Sequence, residues 1–597
     1  MKSKCKISLA TCLVLTSFLE GSTIEVSSAS KSNQSIKDIT SNIEIITGSE
    51  LEEKHITTLI EAMRSIGIPM AQSGGIGQQS SFFLRGFASE NIIVLIDGIS
   101  YNDPTTTKSQ AQLEHIMISD IEQIEIIKGA QSGIWGANAV AGVINIITKK
   151  PTKELISNAN IAYGTNNTKQ YNFSIAQKLD KLGFYLGGNL LKTDGISAYT
   201  PQHQNPKDYE KDGYTNKTLN AKLNYDIDEH NKIGFNTTLI NAKADYDGGW
   251  PIDPNSDGYQ MTQQNRLYGV NYLFNQDDLA INAKYNHTSF NKKDPLGWTP
   301  IFRGAIDNYR LDTRYNYIEN SFFLIGIEKN KSKDKESTNL IKNKSIYATN
   351  SNSFDKLIIT ESLRYDNYNK FSNHTTGKLG AKYLFNEDFD ISSNYGLASR
   401  APSLFELYDA FSGNENLELE KTKSFDIGFR YKGFELTYFD NITKNLIDYV
   451  PTSPWTGNYD QVEGKTKIKG YEAKYTKEIF QDLYLGARYN TLNAKDRDGD
   501  RLARRAKDSF GLNIDYYGLA KTHIGVYASY IGSRYDEKAT TNQTGKYTTF
   551  DSVVNYDIND TVKLYLKADN ITNKRYQEVL NYGTFGRTYL VGLNAKF

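Results

Sequence analysis

Tyr589-Leu-Val-Gly-Leu-Asn-Ala-Lys-Phe597 closes the sequence. Tyr589, Val591, Leu593, Ala595 and Phe597 share one parity, and Leu590, Gly592, Asn594 and Lys596 the other. Successive side chains along a β-strand point to opposite faces, so this segment has one apolar face and one mostly polar face. Such a strand suits the boundary between hydrocarbon and a polar interior, with the terminal aromatic at the membrane–water interface. It reads as the closing strand of a membrane-spanning barrel.

The same texture runs back to Pro151. Runs of about ten alternating residues repeat through this tract, as lipid-facing strands require. Phe389-Asp-Ile-Ser-Ser-Asn-Tyr-Gly-Leu397 places Phe389, Ile391, Tyr395 and Leu397 on one face, and Leu564-Tyr-Leu-Lys-Ala-Asp569 is similar. At ~20 residues per strand and connection, the tract from Leu155 accommodates about 22 strands. The expected fold is an all-β membrane protein, a 22-stranded antiparallel transmembrane β-barrel over 151–597. A barrel this wide has a lumen that needs filling. Residues 42–150 supply the filler, a mixed α/β plug. Leu51, Ile56, Leu59, Ile60, Met63 and Ile66 have helical spacing, and Ile92–Ile96, Ile121–Ile127 and Val143–Ile147 read as buried strands. The competing reading is a soluble all-β protein, which leaves the N-terminus and the terminal strand without a shared explanation.

Composition agrees. The 597 residues include 41 Tyr, as aromatic girdles require, and only 12 Pro. A mean hydropathy of −0.55 is compatible with a barrel, where only alternate residues meet lipid. A formal net charge of zero argues against nucleic acid as a partner. Lys2, Lys4 and Lys6 followed by the apolar stretch Ile7 to Leu19 read as a secretory signal over 1–21. The only cysteines, Cys5 and Cys12, lie inside it. Polar stretches at 201–216, 245–265, 292–307, 405–423 and 493–507 are expected as extracellular loops, carrying Trp250 and Trp298. The seven histidines are scattered, no catalytic constellation appears, and the chain is not expected to be an enzyme.

Several strings resemble the TonB-dependent outer-membrane receptors. They are Phe83-Leu-Arg-Gly86, Val94-Leu-Ile-Asp-Gly98, Ile124-Glu-Ile-Ile-Lys-Gly129 and Trp135-Gly-Ala-Asn-Ala-Val-Ala-Gly-Val-Ile-Asn-Ile-Ile147 in the first domain. In the barrel they are Ser399-Arg-Ala-Pro-Ser-Leu-Phe-Glu-Leu407, Gly413-Asn-Glu-Asn-Leu-Glu-Leu419, Asp569-Asn-Ile-Thr-Asn573 and Gly586-Arg-Thr-Tyr589. Within the family, Gln72 to Gly86, Asp212 to Thr218 and Arg504-Arg-Ala-Lys507 are similar to the cobalamin-receptor subgroup. The resemblance implies active uptake of a scarce nutrient chelate, cobalamin first and a ferric siderophore second. A passive porin or an adhesin barrel is the alternative from a different class. A haem chelate is demoted, because Arg400 to Leu417 contains no histidine where haem receptors of the family carry one.

The resemblance also implies site residues and partners. A TonB box, which pairs edge to edge with the periplasmic energy-transducing protein TonB, maps to Thr23, Ile24, Glu25, Val26, Ser27, Ser28 and Ala29, with a linker to residue 41. Glu25 stands where an apolar residue is usual. Signal cleavage near Gly21 keeps this box, whereas cleavage after Ala29, where Ser27-x-Ala29 has the small-x-small pattern, removes it. Ligand contacts are expected from the plug apex, Gly75, Gln78, Gln79 and Ser80 in one loop and Tyr101, Asn102, Asp103 and Thr105 in the next. Arg85 and Lys128 are expected to lock the plug onto wall carboxylates or to be solvated by lumen water. No cofactor is required. Calcium is a candidate at Asp194, Asp208, Glu210, Asp212, Asp247 and Asp257, with Asp245 and Asp253 nearby, because calcium takes six to eight oxygen ligands.

Overall fold

The computed structural model describes residues 24–297, 299–453, 456–537 and 542–597. Ile156–Gly164 opens a run of 22 antiparallel strands that ends at Thr588–Lys596 and closes on itself. The seam pairs Asn158 with Lys596 through Gly164 with Leu590. Closure removes every free sheet edge, the condition for carrying β-structure through lipid. No described helix is long and apolar enough to cross a membrane.

The sequence alternation becomes an inside and an outside. Tyr589, Val591 and Leu593 are exposed on the outer face, whereas Leu590 is buried inward. In Phe389–Arg400, Tyr395 and Leu397 face out, and Asn394 and Ala398 face the lumen. One rim of the barrel carries tight turns such as Asp180–Lys181 and Asp277–Asp278, and the other carries the long connections. That asymmetry marks the turn side as periplasmic and the loop side as extracellular. Several strands reach further than sequence reading expected. Asp212–Asp226, Gln260–Gln276 and Ile301–Ile318 begin inside the stretches assigned to loops, so the first loop shifts to 197–211 and the next two contract to 246–259 and 294–300. Polar residues can continue a strand beyond the hydrocarbon because both its faces there are wet. Trp298 lies outside the described residues, as do 1–23.

The plug fills the lumen with a five-stranded sheet ordered Ile43–Thr47, Ile121–Lys128, Gly142–Thr148, Ile92–Ile96, Ile99–Ser100. The last long strand pair is parallel and the others are antiparallel. Gly142, at φ +153°, brings its backbone against the Ile127 carbonyl where a Cβ would collide. The single helix expected from Leu51 to Ile66 is two, Gly48–Glu53 and Leu59–Ser65. His55 at φ +45° turns the chain between them. Thr58 caps the second by accepting from Glu61 N, while the Glu61 carboxylate accepts from Thr57 N at 2.8 Å. Leu51, Ile56, Leu59, Ile60, Met63 and Ile66 are nonetheless all buried in one core, which continues onto Leu267, Phe290 and Phe439 of the wall.

Leu363 is 61 % exposed on the outer face, midway along Leu357–Tyr368. Leu363→Arg is expected to destabilise the folded barrel by about 2–4 kcal/mol in lipid. Denaturant titration in vesicles checks this, with the lumen-facing Thr360→Ser as a near-neutral control.

Candidate functional site: the plug apex, its acidic rim and the N-terminal segment

The first apical loop of the plug, residues 73–79, lies against the extracellular rim. Gly77, at φ +86°, stacks its backbone on the Tyr214 ring so closely that no Cβ fits. Gly75 faces the Phe585 ring from the last extracellular loop, and Gln78 Nε2 donates to the Asp245 carbonyl at 2.5 Å. Of the eight apex residues singled out from sequence, Gln79 alone is exposed. Ser80 is buried and donates to Glu114 Oε2 at 2.8 Å. Tyr101 is fully buried, with its hydroxyl accepting from Asn265 Nδ2 at 2.6 Å. Asn102 bridges Val94 N, Ile92 O and Ser109 O, and Asp103 Oδ1 accepts from Thr105 N and Oγ1. These groups hold the loops in shape, and the exposed tips are Gln79 and Thr107.

Directly above, Glu210, Asp212 and Asp247 bring three carboxylates within 4.8 Å of one another. They wrap the turn Ser197–Tyr199, where Asp212 accepts from Ala198 N and Asp247 from Tyr199 N, both at 2.6 Å. Asp247 Oδ1 and Glu210 Oε1 are buried and have no hydrogen-bond partner. Burial, then the neighbouring Asp247, Asp257 and Asp245 carboxylates, push the Glu210 carboxyl up to about 8. Unpartnered hard oxygens gathered without a counter-charge are what a calcium ion requires, so the donor set fits that ion. Of the remaining sequence candidates, Asp208 and Asp257 are exposed nearby, and Asp194 instead meets Asn167 Nδ2 at 3.3 Å and Lys211 at 3.9 Å. The same turn touches the plug, because a Cβ on Gly74 would lie 2.8 Å from Ala198 Cβ.

Half-way down the lumen, Arg85 and Lys128 of the plug meet wall carboxylates. Arg85 Nη1 contacts Asp426 Oδ2 and its Nε contacts Glu472 Oε2, each at 3.1 Å, and Lys128 Nζ lies 3.2 Å from Glu472 Oε1. Glu44 of the plug pairs with Arg488 and, at 3.7 Å, with Lys474 of the wall. A third contact was invisible in sequence: Asp97 pairs with wall Lys222 at 2.8 Å while accepting from Thr148 N and Oγ1. A fourth ties the plug to the last loop, where Glu578 Oε2 accepts from Arg64 Nη2 at 2.9 Å and Gln72 N at 3.0 Å.

The N-terminal segment is folded into the periplasmic side of the plug. Glu25–Val26 pairs with Gln34–Ser35, and Val26, Ser28, Ala29, Ser30 and Lys31 are buried. Glu125 accepts from Ser27 N, Ser28 N and Ser28 Oγ, and Trp135 Nε1 donates to Ser28 O at 2.7 Å. Lys31 enters the lumen beneath the Tyr347 ring, 4.1 Å from its centroid, and pairs with Glu328 at 2.9 Å. Thr23 lies outside the described residues.

Two of the sequence strings acquire a structural reason. Arg400, 2 % exposed, makes a fork to Glu406 at 2.9 and 3.0 Å and reaches Glu420 at 2.8 Å, while Ser403 and Glu406 form a capping box on Leu404–Tyr408. Asn570 bonds Lys574 N and O and Phe585 O, and Asn573 accepts from Arg587 N, shaping the loop that covers the apex.

A closed 22-stranded barrel around a mixed α/β plug defines the class. Residues 155–571 match the TonB dependent receptor-like β-barrel and residues 35–143 the TonB-dependent receptor plug domain, and the chain belongs to this family of outer-membrane receptors. Among curated relatives it is 26 % identical over 654 residues to the vitamin B12 transporter BtuB of Vibrio vulnificus (strain YJ016), with both chains fully covered. It is also 26 % identical over 641 residues to BtuB of Vibrio cholerae O1 El Tor Inaba N16961, again over all of both chains. Among solved structures it superposes on a mutant of the ferric enterobactin receptor PfeA of Pseudomonas aeruginosa with a TM-score of 0.78 at 16 % identity, covering 94 % of this chain and 100 % of the other. The siderophore receptor PirA of Acinetobacter baumannii gives 0.78 at 16 %, covering 93 % and 98 %.

Arg85→Ala is expected to strand Asp426 and part of Glu472 as buried unpaired charge, loosening plug docking by about 3–5 kcal/mol. Planar-bilayer recording checks this by an increased frequency of open-channel events relative to the wild type. The partners of Ser27 to Lys31 further predict that the mature chain keeps them. Cleavage after Ala29 would leave the buried Glu125 without its serines. Intact mass of protein extracted from outer membranes is expected to place the mature N-terminus upstream of Val26.

Proposed function

We propose that this receptor captures cobalamin at its extracellular face and admits it by TonB-coupled transport. The observation that carries the substrate is the full-length likeness, through both plug and barrel, to proteins named as vitamin B12 transporters. The carboxylate trio beside the plug apex supports the reading. Glu210, Asp212 and Asp247 would hold calcium, which supplies the counter-charge that fixes the Ser197–Tyr199 turn against the apex loop. Gln79 and Thr107 then present amide and hydroxyl groups to a large polar ligand.

Transport follows from where the parts lie. Ligand on the apex loads the loop 73–79, which continues through the strand Met70–Gln72 and its bond to Glu578. Thr23 to Ala29, released from its pairing with Gln34–Ser35 when ligand reorganises the plug, is the segment offered to TonB, by strand addition that relies on main-chain hydrogen bonds. A pull on that segment is transmitted through Glu125 to the strand Ile121–Lys128, whose end carries Lys128 of the plug–wall lock. The lock holds the lumen shut between pulls, which distinguishes the reading from a passive porin. A ferric siderophore is the second substrate; its support is the siderophore receptors among the structural neighbours, whose 16 % identity bears on fold alone.

Equilibrium binding of cyanocobalamin to the detergent-solubilised protein, with a ferric-siderophore panel alongside, tests the substrate. Nanomolar cyanocobalamin binding is expected, weakened by a calcium chelator and by Asp247→Asn. Siderophore binding with none for cyanocobalamin would overturn the substrate and leave the receptor class standing.

A further inference from the structure

The wall strands Leu279–Lys293 and Ile301–Ile318 set Lys284 directly opposite Arg310. Cross-strand partners share a face, and like charges so placed repel unless something compensates them. Arg310 is 7 % exposed and borders a lumen cavity of about 180 Å³ between the plug and the wall. Its Nε lies 2.7 Å from Asp312 Oδ2 but is not aligned for a hydrogen bond, and both atoms are without a hydrogen-bond partner. The other oxygen of Asp312 is taken by the Tyr347 hydroxyl.

The nearby acids are already committed. Glu328 Oε2 holds Lys31 and Arg364, and Oε1 accepts from Asn308 Nδ2 at 2.6 Å. Asp366 accepts from Arg364 Nε and Asn343 Nδ2. Asp97 belongs to Lys222 and Thr148. Lys31, Arg310 and Arg364 already use Asp312, Glu328 and Asp366, so no acid remains for Lys284 opposite Arg310, and Arg310 lines its cavity together with Asn286, Asn308 and Asn330. A guanidinium with unused donors and an ammonium on the neighbouring strand form a receptor for an oxyanion.

We propose that Arg310 and Lys284 form an oxyanion-binding subsite inside the barrel, which takes a phosphate or carboxylate group of a solute passing between plug and wall. The subsite rests on the reading of the chain as a transporter and not on which chelate it carries. It lies in the lumen, on a cavity that also touches the second apical loop at Asn102 and Pro104 but none of the acidic-rim residues Glu210, Asp212 and Asp247.

The test uses the full-length protein in detergent, titrated with inorganic phosphate and, separately, with acetate, each against chloride at matched ionic strength, following Tm and heat of binding. Oxyanion-specific stabilisation is expected for the wild type. Lys284→Gln and Arg310→Gln are each expected to weaken it about tenfold or more, the usual consequence of losing a charged hydrogen bond. Lys284→Gln guards against misfolding, because it leaves the Arg310–Asp312 contact in place. A stronger response to phosphate than to acetate, or the reverse, identifies which group the subsite takes. No oxyanion effect beyond that of chloride in the wild type, or an undiminished effect in both variants, overturns the proposal. Cyanocobalamin binding is scored in the same samples. Its absence with oxyanion binding retained would strike the substrate reading and leave the subsite.

Discussion

Every second residue of a wide barrel faces its lumen, and in this chain many of those residues are polar or charged. Lipid cannot satisfy them and a packed core cannot absorb them, so the plug must carry the complementary groups. Arg85 against Asp426 and Glu472, Glu44 against Arg488 and Lys474, and Asp97 against Lys222 are the result. Burial makes these pairs selective. A pair matched in water–poor surroundings is tolerated, whereas a pair slipped by one residue leaves charges alone at a cost of several kcal/mol. The plug therefore sits in one orientation, and displacing it takes work. The proposed coupling to an energised partner would be the functional counterpart of that constraint.

The same network gives the two faces of the membrane something to share. The extracellular acidic rim touches the apex through Ala198 and Gly74, and the apex is tied to the last loop through Glu578. On the other side, Glu125 holds the N-terminal segment, and three residues along the same strand Lys128 meets Glu472. A displacement of that strand acts on both. Lys31 is the counterpart in the lumen, caged by Tyr347 and Glu328.

Much of this was legible in the sequence, for physical reasons. A two-residue period survives in any strand with one lipid face, so Tyr589 to Phe597 and Phe389 to Leu397 disclosed their faces and the barrel with them. Ile92–Ile96 stood out because a strand buried on both sides has no polar positions. The break at His55 did not stand out, because Leu51 to Ile66 keeps helical spacing across it and the turn depends on one positive φ. Loop limits at Asp212 and Gln260 were missed because a strand above the hydrocarbon carries no alternation. Of the acidic candidates, Glu210, Asp212 and Asp247 converge and Asp194 does not. Closeness across strands is a property of register, which composition does not contain. Asn102 and Asp103 looked like ligand contacts because polar turn residues look alike whether they bond a ligand or their own backbone. The charged partners Lys222, Glu472 and Arg488 carry no local signal, since any lumen-facing position tolerates a charge.

Transport, as proposed, depends on strand addition at the N-terminal segment, separately from capture at the extracellular face. Val26→Pro tests it most directly, because proline removes a main-chain donor from that segment and touches nothing at the apex. Binding and energised uptake of labelled cyanocobalamin should be measured on the same cells. Surface binding is expected to persist while uptake falls to the level of a strain lacking TonB. Uptake at the wild-type rate, with the variant present in the outer membrane, would contradict it.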